Sequence, residues 1–275
     1  MSYRDVLVHV KFYESWSQHI EVAGRVSHAF GARLTALYTL RDIATLKVVF
    51  GAESPTVQAR QAKDALALEK AEKGFRRFVK QTGIDGDWKV GEGTASELLT
   101  WAGRFHDLVV VEQTDNVSDE IGFDVAEQCV LASGRPTLVV PYRGHFPTVG
   151  RRILVAWNGS REAALAVHGA LPLIAKAERV DLLLGRGKET FNSITRYPDL
   201  KITDYLQRHA PCVEARRFDV SDAEAGTAIL DEARKAEADL LVMGAYGRWW
   251  FSEWILGGAT QHVLRDMHLP VLMAH

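Results

Sequence analysis

Four glycines near the C-terminal end of this 275-residue chain are spaced for one kind of chemistry. Gly244 ends a short apolar run, Leu240 to Met243, that reads as a buried strand. Gly247 follows after two residues. After nine more come Gly257 and Gly258, directly before Ala259, Val263 and Leu264, which are spaced as one face of a helix. Strand, glycine-bounded loop and helix N-terminus, in that order, bring main-chain N–H groups and the positive end of a helix dipole to one place. Such a place binds anions, and a nucleotide phosphate is the first candidate. Met243 and Gly244 close the strand, Ala259 and Thr260 open the helix, and Arg248 carries charge that would screen a phosphate. The competing reading is a glycine-bounded loop with no ligand and a solvated arginine.

These residues need a scaffold that delivers strand ends and helix starts to one edge, and the rest of the chain predicts one. Strands are expected at 5–10, 34–40, 88–90, 107–111 and 137–140, and helices at 16–30, 57–81, 95–105 and 125–132. The stretch 41–55 is less regular. Residues 141–150 hold two Pro and two Gly and read as a linker. The pattern then restarts with strands at 153–157, 180–184, 213–220, 240–243 and 271–274. Helices are expected at 161–177, interrupted by Pro172, and at 198–209 and 223–236. Ser160 is positioned to cap the first of these. Asp107-Leu-Val-Val-Val matches Asp239-Leu-Leu-Val-Met, and Pro136-Thr-Leu-Val-Val matches Pro270-Val-Leu-Met-Ala. A whole domain is therefore repeated. Alternating strands and helices predict a parallel sheet with helices on both faces and ligands at the carboxyl ends of the strands.

Composition narrows the function classes. Lys and Arg number 33 against 35 Asp and Glu, which argues against general binding of nucleic acid or an acidic membrane. No apolar run approaches the roughly 18 residues of a membrane helix. The N-terminus has no apolar leader segment. Cys129 and Cys212 are far apart in sequence, and both are expected to be buried free thiols in a cytoplasmic protein. Gly185-Arg-Gly-Lys-Glu-Thr190 has the wrong glycine spacing for a P-loop, and Glu189 stands where Ser or Thr should follow Lys188. The ten His form no metal-binding pair, and there is no Gly-x-Ser-x-Gly elbow.

The run Gly244-x2-Gly247-x9-Gly257-Gly258, with its flanks Ala238-Asp239 and Leu269-Pro270-Val-Leu272, resembles the nucleotide-binding signature of the universal stress proteins. That signature carries Ser or Thr after its third glycine. The resemblance extends over nearly the whole chain. It implies two tandem, doubly wound α/β domains of the Rossmann-like, adenine nucleotide alpha hydrolase-like kind, each with a five-stranded parallel sheet. The expected domains are 1–143 and 150–275, packed as an intramolecular pseudo-dimer, with a further homodimer possible.

The resemblance also implies a site. The family's Asp after the first strand is replaced by Asn158, which hydrogen-bonds but is no anionic Mg2+ ligand; otherwise Asn158-Gly159 is simply a turn before a cap. Gly185 matches a position whose backbone lies near adenine. Gly258 replaces the hydroxyl residue, a loss of about 1–3 kcal/mol if a phosphate oxygen goes unpaired, and the Thr260 hydroxyl is close enough to substitute in part. In the first half Lys11 takes the Asp position, and Glu112 stands where phosphate would lie and would repel it. That half is expected not to bind ATP in the usual way. Trp249, Trp250, Phe251 and Trp254 form either a lid or packing against the other half. The function expected is that of a stress-response regulator whose C-terminal domain binds ATP or AMP, with Mg2+ a weaker expectation. The alternatives are an interaction module that binds no ATP, with a protein partner or another small ligand, and a slow ATP hydrolase. No nucleophile or base points to fast turnover.

Overall fold

A computed structural model describes residues 2–11, 17–40, 44–114, 125–185, 198–221, 223–247 and 258–275. The first half runs β1 (Asp5–Val10), α1 (Gln18–Phe30), β2 (Arg33–Leu40), α2 (Ala44–Phe50), α3 (Pro55–Thr82), β3 (Gly86–Glu92), α4 (Ala95–Gly103), β4 (Leu108–Glu112), α5 (Val125–Ala132) and β5 (Thr137–Val140). The second runs β6 (Arg152–Trp157), α6 (Arg161–Ile174), β7 (Arg179–Leu184), α7 (Ile202–Gln207), β8 (Val213–Arg217), α8 (Ala225–Lys235), β9 (Leu240–Gly244), α9 (Gly258–Asp266) and β10 (Val271–Ala274).

The strands form one ten-stranded sheet in the order β3-β2-β1-β4-β5-β10-β9-β6-β7-β8. Every pairing inside a half is parallel. The seam is the exception: β5 and β10 run antiparallel, with Leu272 opposite Leu138 and Val271 opposite Val139. The second half therefore repeats the winding of the first about a pseudo-twofold axis at the seam.

Alternation along the strands explains why both faces need helices. Val6, Val8, Ile153, Val155, Leu240 and Val242 feed one apolar core together with Ile20 of α1, Phe75 of α3, Val167 of α6 and Leu206 of α7. Leu7, Leu154, Leu241 and Met243 feed the other with Leu99 of α4, Ala126 of α5, Ile229 of α8 and Val263 of α9. Strands covered on both sides lose the polar alternation of an exposed sheet, and these strands are continuous apolar runs. Each core crosses the seam.

The two matching Asp-Leu runs have a physical cause. The Asp107 carboxylate accepts from the Arg4 and Asp5 amides at 2.7 and 3.1 Å, ahead of β1. Asp239 accepts from Gly150, Arg151 and Arg152 at 3.0, 3.2 and 3.0 Å, ahead of β6. In each half an aspartate opening the fourth strand satisfies amides at the start of the first.

Three expectations need correction. The stretch 41–55 is not irregular throughout, because α2 lies within it; its Val48, Val49 and Phe50 are exposed, so it shows no buried periodicity. Helix α7 is shorter than 198–209. Cys129 is buried as expected, but Cys212 is exposed, just ahead of the edge strand β8.

Candidate functional site

In the second half the strand order reverses between β9 and β6, which pair through Ala156 and Met243. The helices that follow these strands, α9 and α6, pack on opposite faces. In open α/β sheets such a reversal is where a ligand crevice forms at the carboxyl ends of the strands.

Asn158 and Gly185 sit together on one side of it. The Gly185 amide donates to the Trp157 carbonyl at 2.8 Å, and a Cβ on Gly185 would lie 3.8 Å from that of Asn158. Asn158 Oδ1 accepts from the Ser160 amide at 3.1 Å across Gly159, whose φ is +76°. This is an Asx turn, and it commits the side-chain oxygen to the backbone. Ser160 Oγ in turn accepts from the Ala163 amide at 3.2 Å and caps α6.

Gly244 and Gly247 form the opposite side. A Cβ on Gly244 would fall 2.4 Å from the Ala163 nitrogen and 2.6 Å from the Glu162 carbonyl carbon. Only glycine lets the first turn of α6 press so closely on the end of β9. Near Gly247 the closest described atom to an added Cβ is Glu162 Oε2, at 3.5 Å. Between the glycines, Tyr246 is buried with φ +55°, a conformation uncommon outside glycine. Its amide donates to Thr260 Oγ1 at 3.3 Å. The buried Thr260 hydroxyl thus ties the loop to the first turn of α9. Met243 turns its side chain into the core. Gly258 is exposed, with no described atom within 4 Å of an added Cβ, and Ala259 is half-buried beside it. Arg248, Gly257, Trp249, Trp250, Phe251 and Trp254 lie outside the described residues.

The residue that sequence reasoning missed is Glu162, which is 9 % exposed. It is 82 positions from Gly244 in sequence, and no glycine motif includes it. Its signal was the Ser160 cap, which places the second following residue on the helix turn nearest the strand end.

The first half answers the same geometry with different chemistry. Register equates Glu112 with Gly244 and Lys11 with Asn158. The helix caps Ser17 and Ser160 then equate His19 with Glu162. His19 Nε2 donates to the His9 carbonyl at 2.7 Å, and its Nδ1 lies 2.7 Å from the Ser17 hydroxyl. Glu112 Oε1 lies 3.5 Å from that same Nδ1. Burial raises the Glu112 pKa, but the His19 hydrogen bond and charge, with Lys11, outweigh it and hold the carboxyl below its ordinary range. His9 is buried, and burial first, then Lys11 and His19, keep its pKa well below the usual histidine value. Gln113 leaves the cluster for the other half: its Nε2 donates to the Leu264 and Arg265 carbonyls at 2.8 and 2.9 Å, at the last turn of α9.

Among the described residues no helix is long and apolar enough to cross a membrane. Residues 150–275 match the family model described as Universal stress protein family. No curated protein sequence matches the chain. A solved universal stress protein from Archaeoglobus fulgidus DSM 4304 superposes with a TM-score of 0.71 at 15 % identity, covering 98 % of this chain and 95 % of that one. A functionally unknown protein from Pseudomonas aeruginosa PAO1 superposes with a TM-score of 0.58 at 14 % identity, covering 98 % and 92 %. These likenesses are of fold, and they span both halves. Residues 150–275 form a universal stress protein family domain, and the fold of a solved universal stress protein is matched along both halves of the chain.

Proposed function

We propose that this protein is a ligand-responsive regulator whose C-terminal half binds an adenine nucleotide in the crevice between β6 and β9. The observation that carries this reading is that the glycine-flanked end of β9 is tied to the first turn of α9, where Gly258 is exposed, by the hydrogen bond from the Tyr246 amide to Thr260. A helix N-terminus thus stands beside the glycine-flanked loop, and both kinds of site favour an anion. Asn158 and Gly185, side by side at the ends of β6 and β7, would meet the nucleoside. Nucleotide bound only by the folded state stabilises it by mass action, and this is how occupancy would be transmitted. The test is differential scanning fluorimetry with ATP and AMP, compared with Gly247→Val. A rise in melting temperature with millimolar nucleotide, abolished in the variant, supports the reading; no shift at any nucleotide concentration removes it.

A second reading, an interaction module that takes no nucleotide, draws on three observations. Glu162 lies against the glycine loop, the Asn158 oxygen is held in a turn, and the Thr260 hydroxyl is engaged by Tyr246. The same measurement separates the two readings.

A further inference from the structure

We propose that Glu162 is the specificity-determining residue of the C-terminal crevice, selecting its ligands by phosphate charge. The inference rests on the nucleotide reading and deepens it. Glu162 is the second residue after the Ser160 cap, so its side chain springs from the helix turn that Gly244 admits against β9. The residue is only 9 % exposed, and among the described residues its carboxylate has no hydrogen-bond or ion-pair partner. Its Oε2 lies 3.5 Å from the place of a Gly247 Cβ, beside the strand end where the nucleotide reading puts the phosphate. The dipole of α6 favours an acidic residue in that first turn. It does not account for the carboxylate facing the glycines.

A phosphate brought beside this carboxylate is repelled by it. A phosphate entering the loop must displace the carboxylate or tolerate it. A nucleoside brings no such charge, and its hydroxyls are donors that a carboxylate accepts. The crevice is therefore set to favour a nucleoside or nucleoside monophosphate over a free polyphosphate. The first half holds the mirror arrangement: there the helix residue is His19 and the strand-end residue is the carboxylate Glu112. Of the two carboxylates, Glu112 lies 3.5 Å from His19 Nδ1, and Glu162 has no basic group beside it among the described residues.

The experiment measures binding of adenosine, AMP and ATP by calorimetry in metal-free buffer. It uses the full chain and two variants, Glu162→Gln and Glu162→Ser, with circular dichroism to check the fold. The expected result is an affinity gain on substitution that grows with phosphate number: near unity for adenosine and at least tenfold for ATP. An equal change for all three ligands would mean that Glu162 merely supports the loop, and an unchanged ATP affinity would mean that its charge does not reach the ligand. Either result overturns the inference and leaves the nucleotide reading standing. Absence of binding by all three ligands to all three proteins removes the nucleotide reading, and the inference with it.

Discussion

A methyl group on Gly244 would lie 2.4 Å from the Ala163 amide nitrogen, a backbone atom that moves only if α6 moves. Gly244→Ala is therefore expected to cost about 1–3 kcal/mol in urea unfolding, as overpacking does. Gly247→Ala is expected to change stability by only about 0.5 kcal/mol, because its nearest described neighbour is a side-chain oxygen at 3.5 Å. Similar losses in the two variants would mean that α6 and β9 are not in the close contact described. The polar cluster of the first half makes a prediction in pH. Glu112 has a folded-state pKa below its ordinary 4.5, so its stabilising contribution is full above that value and is lost as pH falls through the lower, folded one. His9 acts in a different window. Its folded pKa lies well below 6.5, so the unfolded chain takes up the proton first, and stability declines as pH drops below 6.5. Each such proton tilts the unfolding free energy by about 1.4 kcal/mol per pH unit. His9→Ala should lower stability overall but flatten its slope between pH 6.5 and 4.5, while Glu112→Gln should flatten it below 4.5. A His9→Ala slope identical to that of the unmodified protein would place the His9 proton in the folded state.

Helix α9 is held at both ends by residues distant in sequence. At its start, Thr260 accepts from the Tyr246 amide; at its end, Gln113 of the other half donates to two carbonyls that the helix itself cannot satisfy. Gln113→Ala should cost about 1–3 kcal/mol and raise hydrogen-exchange rates in the turn containing Leu264 and Arg265. Exchange unchanged in that turn would mean that water replaces the glutamine without loss. This dependence was not legible in the sequence, where Gln113 follows a strand like any loop residue. The strands were legible because burial on both faces makes them unbroken apolar runs. Helix α2 was not, since its Val48, Val49 and Phe50 face solvent and periodicity detects only buried faces. The glycines of the crevice were visible by their spacing, and the turn at Asn158 by its Asn-Gly pair. Glu162 was hidden because its role depends on α6 closing against β9, which no local pattern encodes.

At the scale of the whole molecule the seam decides how the two halves share stability. Strand β5 is buried along its whole length, and Leu138 and Leu272 meet across the seam at 0 % exposure. Beyond the strands, the Tyr3 hydroxyl donates to the Gly169 carbonyl of α6 at 2.6 Å, and Lys176 reaches the Ala29 carbonyl of α1. Cores that are continuous across the seam, with polar ties on either side, couple the halves. Their separation would expose an unpaired, apolar strand edge on each. Unfolding is therefore expected to be one transition, although the chain repeats one winding in its two halves. Leu272→Asp gives the decisive case. It sets a carboxylate in a dry seam with no cation facing it among the described residues, at a cost of several kcal/mol. Trp88 reports on the first half and Trp157 on the second. With the other tryptophans replaced by phenylalanine, each can be followed alone in urea. Both should unfold together at a lower midpoint in Leu272→Asp. If Trp88 kept its original midpoint while Trp157 moved, the halves would be separate folding units that merely touch, and loop occupancy in one would have no route to the other.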